Sequence, residues 1–186
     1  HRDLHSFPTR RSSDLLWRVL NKQTFDKDGY LLLLTKYLIE QEYFSYNGNE
    51  YKDSHIREEL NGSFYQNAFS KKEQKHIIPT VIDDYADNVC LLAYEDYTNP
   101  TYFKDTESRK ASCTEYTSPY RKGYLNKKTK TGTYWTRSKG SLTGVLRVDS
   151  DGYFSSWRPY HKCPGWHHSF APMPYETVRP SIKIRI

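Results

Sequence analysis

The chain has 186 residues, enough for one domain with a sizeable core, and 28 basic against 22 acidic side chains leave a formal charge of +6. That mild excess, spread among acids as in Lys52-Asp53 and Arg57-Glu58-Glu59, argues against a nucleic-acid-binding protein. Three cysteines without a C-x-x-C spacing support neither a disulfide framework nor a standard zinc site, and no apolar run approaches the roughly 20 residues of a membrane span. Aromatic side chains make up 16% of the chain, with 17 tyrosines, which suits half-buried sheet surfaces and recognition platforms.

Residues 1–15 read as a non-native start. They resemble a translated sequencing adapter, and Asp3 and Asp14 break the acid-poor pattern of a transit peptide. Residues 16–186 are taken as a single domain, a metagenomic fragment whose own start is missing. Leu16-Trp17-Arg18-Val19-Leu20 alternates and predicts a strand. Asp26-Lys27-Asp28-Gly29 predicts a turn, and the unbroken Tyr30–Thr35 a return strand buried on both faces.

Asp53 or Ser54 caps a helix on which Ile56, Leu60 and Phe64 form one apolar stripe. Asn61-Gly62 predicts a break in its middle. Ser70-Lys71-Lys72-Glu73 has capping-box spacing and starts a second short helix, stopped before Pro79. Val89–Leu92 predicts a buried strand, Ala93–Tyr97 a helical turn, and Arg109–Thr114 another turn. The basic run from Arg121-Lys122 to Lys127-Lys128-Thr129-Lys130 is read as a solvated loop.

Tyr134–Ser138 and Thr143–Val148 predict strands, and Asp149-Ser150-Asp151-Gly152 a tight hairpin into Tyr153–Ser156. A calcium loop there would need a glutamate where Tyr160 stands. Residues 157–175 predict an ordered loop rich in Trp, His and Pro. Thr177–Ile186 alternates strictly, with Ile182, Ile184 and Ile186 on one face.

These motifs in this order resemble one bacterial family. They are "WRVL" at Trp17–Leu20, "LLLT" at Leu32–Thr35, a helix from Leu60 to Glu73, Val89–Asp96 and "RKAS" at Arg109–Ser112. "YWTRS" at Tyr134–Ser138, "RVDSDG" at Arg147–Gly152 and "VRPSIKI" at Val178–Ile184 complete the set. The chain is similar to the domain of unknown function DUF6273, whose marks are a W-W-L-R-S strand and a terminal G-V-R-P-A strand. Here Tyr134, Thr136 and Thr177 replace the first Trp, the Leu and the Gly of those marks. The resemblance implies an α+β, C-type-lectin-like fold: small antiparallel sheets, one or two short helices and long ordered loops. It implies a last strand pairing with the first.

Trp135, Arg137, Ser138, Arg179 and Pro180 are expected to be the structural signature, with the two arginines as internal ties; the other reading is ligand contact. An arginine within a sheet is too costly to bury without a carboxylate, carbonyls or an aromatic face. Ligand binding is expected at Trp157, Arg158, Tyr160, Trp166 and His168 in the aromatic loop, the other reading being a loop packed on itself. His161, Cys163, His167 and His168 do not have a standard zinc spacing. No nucleophile-and-base pair, phosphate loop or other catalytic motif is found, so no enzyme, metal or cofactor is expected. The expected function is a non-catalytic binding or adhesion module for a glycan or protein ligand, at the cell surface or outside the cell. The alternatives are a purely structural assembly domain and an enzyme on a formylglycine-generating-like scaffold.

Overall fold

The computed structural model describes residues 14–21, 29–45, 50–114, 126, 128–140, 144–157 and 176–185. The opening strand β1 (Trp17–Val19) pairs antiparallel with β2 (Tyr30–Thr35), as the alternation and the turn signal predict. After the two-residue β3 (Gln41–Glu42), Ser54 caps α1 (His55–Glu59) by accepting the Arg57 N–H at 3.2 Å. Ser54 Oγ also donates to Tyr51 O at 2.7 Å, so the cap is anchored from both sides.

The predicted break at Asn61-Gly62 does not occur. The helix widens instead into a π-helical turn, Leu60–Phe64, and runs on as α2 (Tyr65–Ala68). The Asn61 side chain explains this. Its amide donates to Val89 O at 2.9 Å and its oxygen accepts the Asn88 and Val89 N–H groups, bracing the bulge against a neighbouring segment. Ile56, Leu60 and Phe64 still form the buried stripe. Helix α3 (Lys71–Gln74) carries the predicted capping box, with Ser70 and Glu73 satisfying each other's N–H groups.

Three short strands follow that sequence patterning did not predict: β4 (Ile77–Ile78), β5 (Thr80–Ile82) and β6 (Tyr85–Asp87). The last two form a hairpin whose turn residue Asp83 takes φ +51°. Val89–Leu92 is buried but is not a strand; it touches the sheet through one bridge, Cys90 with Ser181. Helix α4 (Tyr94–Thr98) confirms the predicted turn. Helix α5 (Thr106–Arg109) lies just before the turn expected at Arg109–Thr114, because Asp105 is the residue that can cap it.

The signature strand β7 (Tyr134–Lys139) is followed by β8 (Val145–Val148) and β9 (Phe154–Trp157), then β10 (Glu176–Thr177) and β11 (Ser181–Arg185). One sheet has the order β1-β2-β11-β4, another β3-β10-β7-β8-β9, and β5-β6 stands as a two-stranded piece. The last strand therefore pairs with β2 rather than with β1. Its register places Ile182 opposite Leu33 and Ile184 opposite Leu31. The two signature segments meet at a single parallel pair, Thr177 with Tyr134, so the sheets are not wholly antiparallel. The class is α+β, with five short α-helices and the π-helical turn among the described residues, where one or two helices were expected.

Strand β2 divides the core. Leu33 packs with Ile56, Leu60, Trp135 and Ile182, while Leu32 and Leu34 pack with Tyr97, Phe103 and Tyr134 on the other side. The unbroken leucine run follows from this, since both faces are covered. Leu15, the last residue of the stretch read as non-native, is 8% exposed within the first cluster.

Candidate functional site

The family motifs turn out to be bonded to one another. In β7, Tyr134 and Trp135 are buried in the two different core clusters. Trp135 Nε1 donates to Glu42 O at 2.9 Å, and its ring meets Phe44 edge-on. The ladder with β8 then slips: Trp135 is opposite Arg147, yet Lys139 is opposite Val145. A bulge of this kind frees backbone groups and re-aims side chains. The freed Arg137 N–H donates to Leu92 O at 3.0 Å and Arg137 Nη1 to Leu91 O at 2.8 Å. The same nitrogen lies 3.1 Å from Asp96 Oδ2, which also accepts the Ala93 N–H. Ser138 Oγ accepts the Tyr94 N–H at 2.8 Å. So "TRS" holds the Leu91–Asp96 segment in place.

Arg179 is 2% exposed. Its Nε donates to Thr35 O at 3.1 Å, and its Nη1 to Arg109 O at 2.9 Å and to the Tyr134 hydroxyl at 3.2 Å. The guanidinium also lies over the Tyr134 ring, 5.3 Å from its centre. Pro180 O accepts the Thr35 N–H. Arg179 thus ties β2, the "RKAS" segment and β7 together with carbonyls and a phenol as partners. Both arginines donate to backbone carbonyls of other segments, Arg137 to Leu91 and Arg179 to Thr35 and Arg109.

Arg137, Ser138 and Lys139 have a second exposure. They form one wall of an open cleft of about 460 Å³, faced by Val81 and Tyr85 of the β5–β6 hairpin. Val81 is 76% exposed. The cations lining the cleft are all held in ion pairs, Lys52 with Asp84 and Lys139 with Glu50, each at 2.5 Å, and Arg137 with Asp96 at 3.1 Å, while Asp83 and Glu95 add two further acids to the lining. Arg57 stacks on Tyr85, 4.2 Å from the ring centre, and pairs with the buried Asp87 at 2.8 Å. No sequence signal singled out this cleft, because its far wall is the hairpin that the pattern did not reveal.

A buried acidic pair lies on the other side of Trp135. Glu42 and Glu176 are opposite each other in the β3–β10 register. Glu176 is fully buried and bonded through Oε1 to Arg147, which also holds Ser155 and Asp149. Its Oε2 is buried without a hydrogen-bond partner among the described residues. Burial outweighs Arg147 and pushes the Glu176 carboxyl up to about 7. Burial, then the neighbouring Glu59, pushes Glu42 up to about 8. His55 Nε2 lies 3.8 Å from Glu42, and its ring stacks on Tyr43.

The two described cysteines, Cys90 and Cys113, are both shielded from solvent to some degree and unpaired by disulfide. Cys90 is 2% exposed, 3.4 Å from Ser181 Oγ, and burial raises its thiol above the usual value. Burial pushes Cys113 up to about 11. Asp149, the head of the calcium-loop alternative, is engaged with Arg147 and Ser155. Among the described residues no three His, Cys, Asp or Glu side chains converge as a metal site, and no helix is long and apolar enough to cross a membrane.

The residues expected to bind ligand fall outside this picture. Arg158, Tyr160, Trp166 and His168 lie outside the described residues, and of Trp157 only the backbone, ending β9, is described. In comparison with known proteins, the family model of a domain of unknown function, DUF6273, fits residues 28–186. No curated protein and no solved structure matches.

Proposed function

The chain belongs to the DUF6273 family, and from that footing we propose that it is a non-catalytic ligand-binding domain with a C-type-lectin-like fold. The reading is carried by the open cleft between the end of β7 and the β5–β6 hairpin. It combines an exposed aliphatic side chain, Val81, a tyrosine ring held by Arg57, and polar groups at Ser138 and the hairpin turn. Such a mixture fits a polar ligand with an apolar face. The paired cations around the cleft favour a neutral partner, a glycan or an uncharged stretch of protein, over an anion, which would have to displace an internal pair. The unreactive thiols of Cys90 and Cys113 support a binding role over cysteine chemistry.

The fold reading is supported by a terminal strand that closes onto the opening hairpin through β2, and by the long connection between β9 and β10. That connection carries the aromatic loop, which serves as a second contact surface in this reading. A cell-surface or extracellular setting suits such a module.

Glycan-array and pull-down binding of the whole chain, repeated with Val81→Arg and Tyr85→Ala, tests the cleft. Loss of binding in both, with Val81→Arg melting as the parent does, supports it. Binding that survives both substitutions but disappears in Trp157→Ala and Trp166→Ala moves the site to the loop. Silence across broad panels leaves the assembly-domain alternative.

A further inference from the structure

Three arginines have a described carboxylate partner: Arg57 with Asp87, Arg137 with Asp96, Arg147 with Glu176 and Asp149. The corner where β1 meets the segment between α4 and α5 differs. There Arg18 donates through Nη1 to Ser108 O at 2.9 Å and through Nη2 to Tyr102 O at 2.7 Å, and it lies over the Phe103 ring. Arg109 donates to Gly152 O and lies over Phe154, and Arg179 bonds to carbonyls and a phenol. None of the three forms an ion pair with a described acid. The charge is felt locally: burial, then Arg179, lowers Arg18 below its ordinary value. Asp105 senses Lys104 and Arg109, but its carboxylate is engaged by the Ser108 N–H as a helix cap.

Of the three, Arg18 lines a cavity of about 710 Å³, within the roughly 300–1,000 Å³ range of small-ligand pockets. Arg18 and Lys104 supply its cations, Thr101 and Ser108 its hydroxyls, and Leu20 and Pro100 apolar wall. Lys104 is exposed and lines the cavity, and among the described residues no hydrogen bond or ion pair engages its ammonium.

We infer that this cavity is a second binding site, separate from the β7 cleft, for a small ligand bearing an anionic oxygen group, gripped between the Arg18 guanidinium and the Lys104 ammonium. Two nitrogens of Arg18 are fixed by carbonyls, which orients the guanidinium in advance, and Lys104 closes on the ligand from the rim. A carboxylate or a tetrahedral oxyanion meets the same donors.

The test follows amide resonances of Thr101, Lys104 and Ser108 in the 15N-labelled full chain. Inorganic phosphate, inorganic sulfate and glucuronate are titrated separately at ionic strength held constant with chloride. Saturable shifts at these three amides are expected with at least one probe, and which probe saturates separates a tetrahedral oxyanion from a carboxylate. Lys104→Glu should weaken that Kd by about fivefold or more, while neutral glucose leaves the resonances in place. The inference is overturned if no probe gives saturable shifts, or if Lys104→Glu binds as tightly as the parent. Arg18→Gln is a companion variant read only if its melting temperature holds; Lys104→Glu decides the matter without it.

Discussion

At the scale of single residues, the signature side chains fasten backbone segments that have no regular pairing of their own. Arg137→Ala would leave Leu91 O without its guanidinium donor and Asp96 without its cation, and should cost about 1–3 kcal/mol in urea or thermal unfolding. Arg179→Ala should cost more, about 3 kcal/mol or above, because three partners are left inside the core. An unchanged melting temperature for Arg137→Ala would remove the structural role given to it.

The buried acids at the same scale set a pH response. Glu42 and Glu176 hold their protons more tightly in the folded chain than their ordinary value of 4.5. The folded state therefore carries more protons than the unfolded one above that value. Their contribution to stability is complete below about pH 4.5 and is lost as pH rises through 7 for Glu176 and 8 for Glu42. Urea midpoints should fall from pH 5 to pH 8, by about 1–3 kcal/mol in stability. Glu42→Gln, which keeps the oxygen that accepts the Tyr43 N–H, should flatten that slope. A slope identical in Glu42→Gln and the parent would show that Glu42 does not titrate there.

At the scale of elements, two glycines behave oppositely. Gly62 sits in the π-helical turn with open space where a Cβ would go and no unusual φ. Gly62→Ala should stabilise by about 0.5–1 kcal/mol. Gly152 has φ +87°, and a Cβ there would lie 2.0 Å from Thr106 O on α5. Gly152→Ala should destabilise by several kcal/mol, on the order of 3 or more, because backbone must move. Circular dichroism melts of the two variants check both signs. The contrast also shows what sequence could and could not give. Asn61-Gly62 looked like a breaker because local propensity disfavours it, and the reason it is tolerated is Asn61 bonding to Val89, 28 positions away. The capping box at Ser70 and the Ser54 cap were legible because their partners lie three residues off. The β5–β6 hairpin was not, since Thr80–Asp87 shows neither strong alternation nor an Asn-Gly or Asp-Gly turn. The cleft was hidden with it.

At the scale of the molecule, the chain is closed by pairings between distant segments: β2 with β11, Leu38 with Cys113, Cys90 with Ser181. Because loop closure must precede such contacts, refolding should take milliseconds to seconds rather than microseconds. Stopped-flow tryptophan fluorescence would measure it. The bilateral burial of β2 was readable from its leucine run, but its partners were not, since no local pattern says which later strand it meets.

The β5–β6 hairpin has one more use. Among the described residues its strands pair only with each other, and Val81 points away from the core beside the cleft. A polarity-sensitive fluorophore attached at position 86, exposed opposite Val81 in the hairpin register and outside the cleft lining, would sit beside the cleft and leave Val81 to the ligand. The domain thus offers its own optical gauge of occupancy, with which unknown ligands can be screened by colour change rather than by capture.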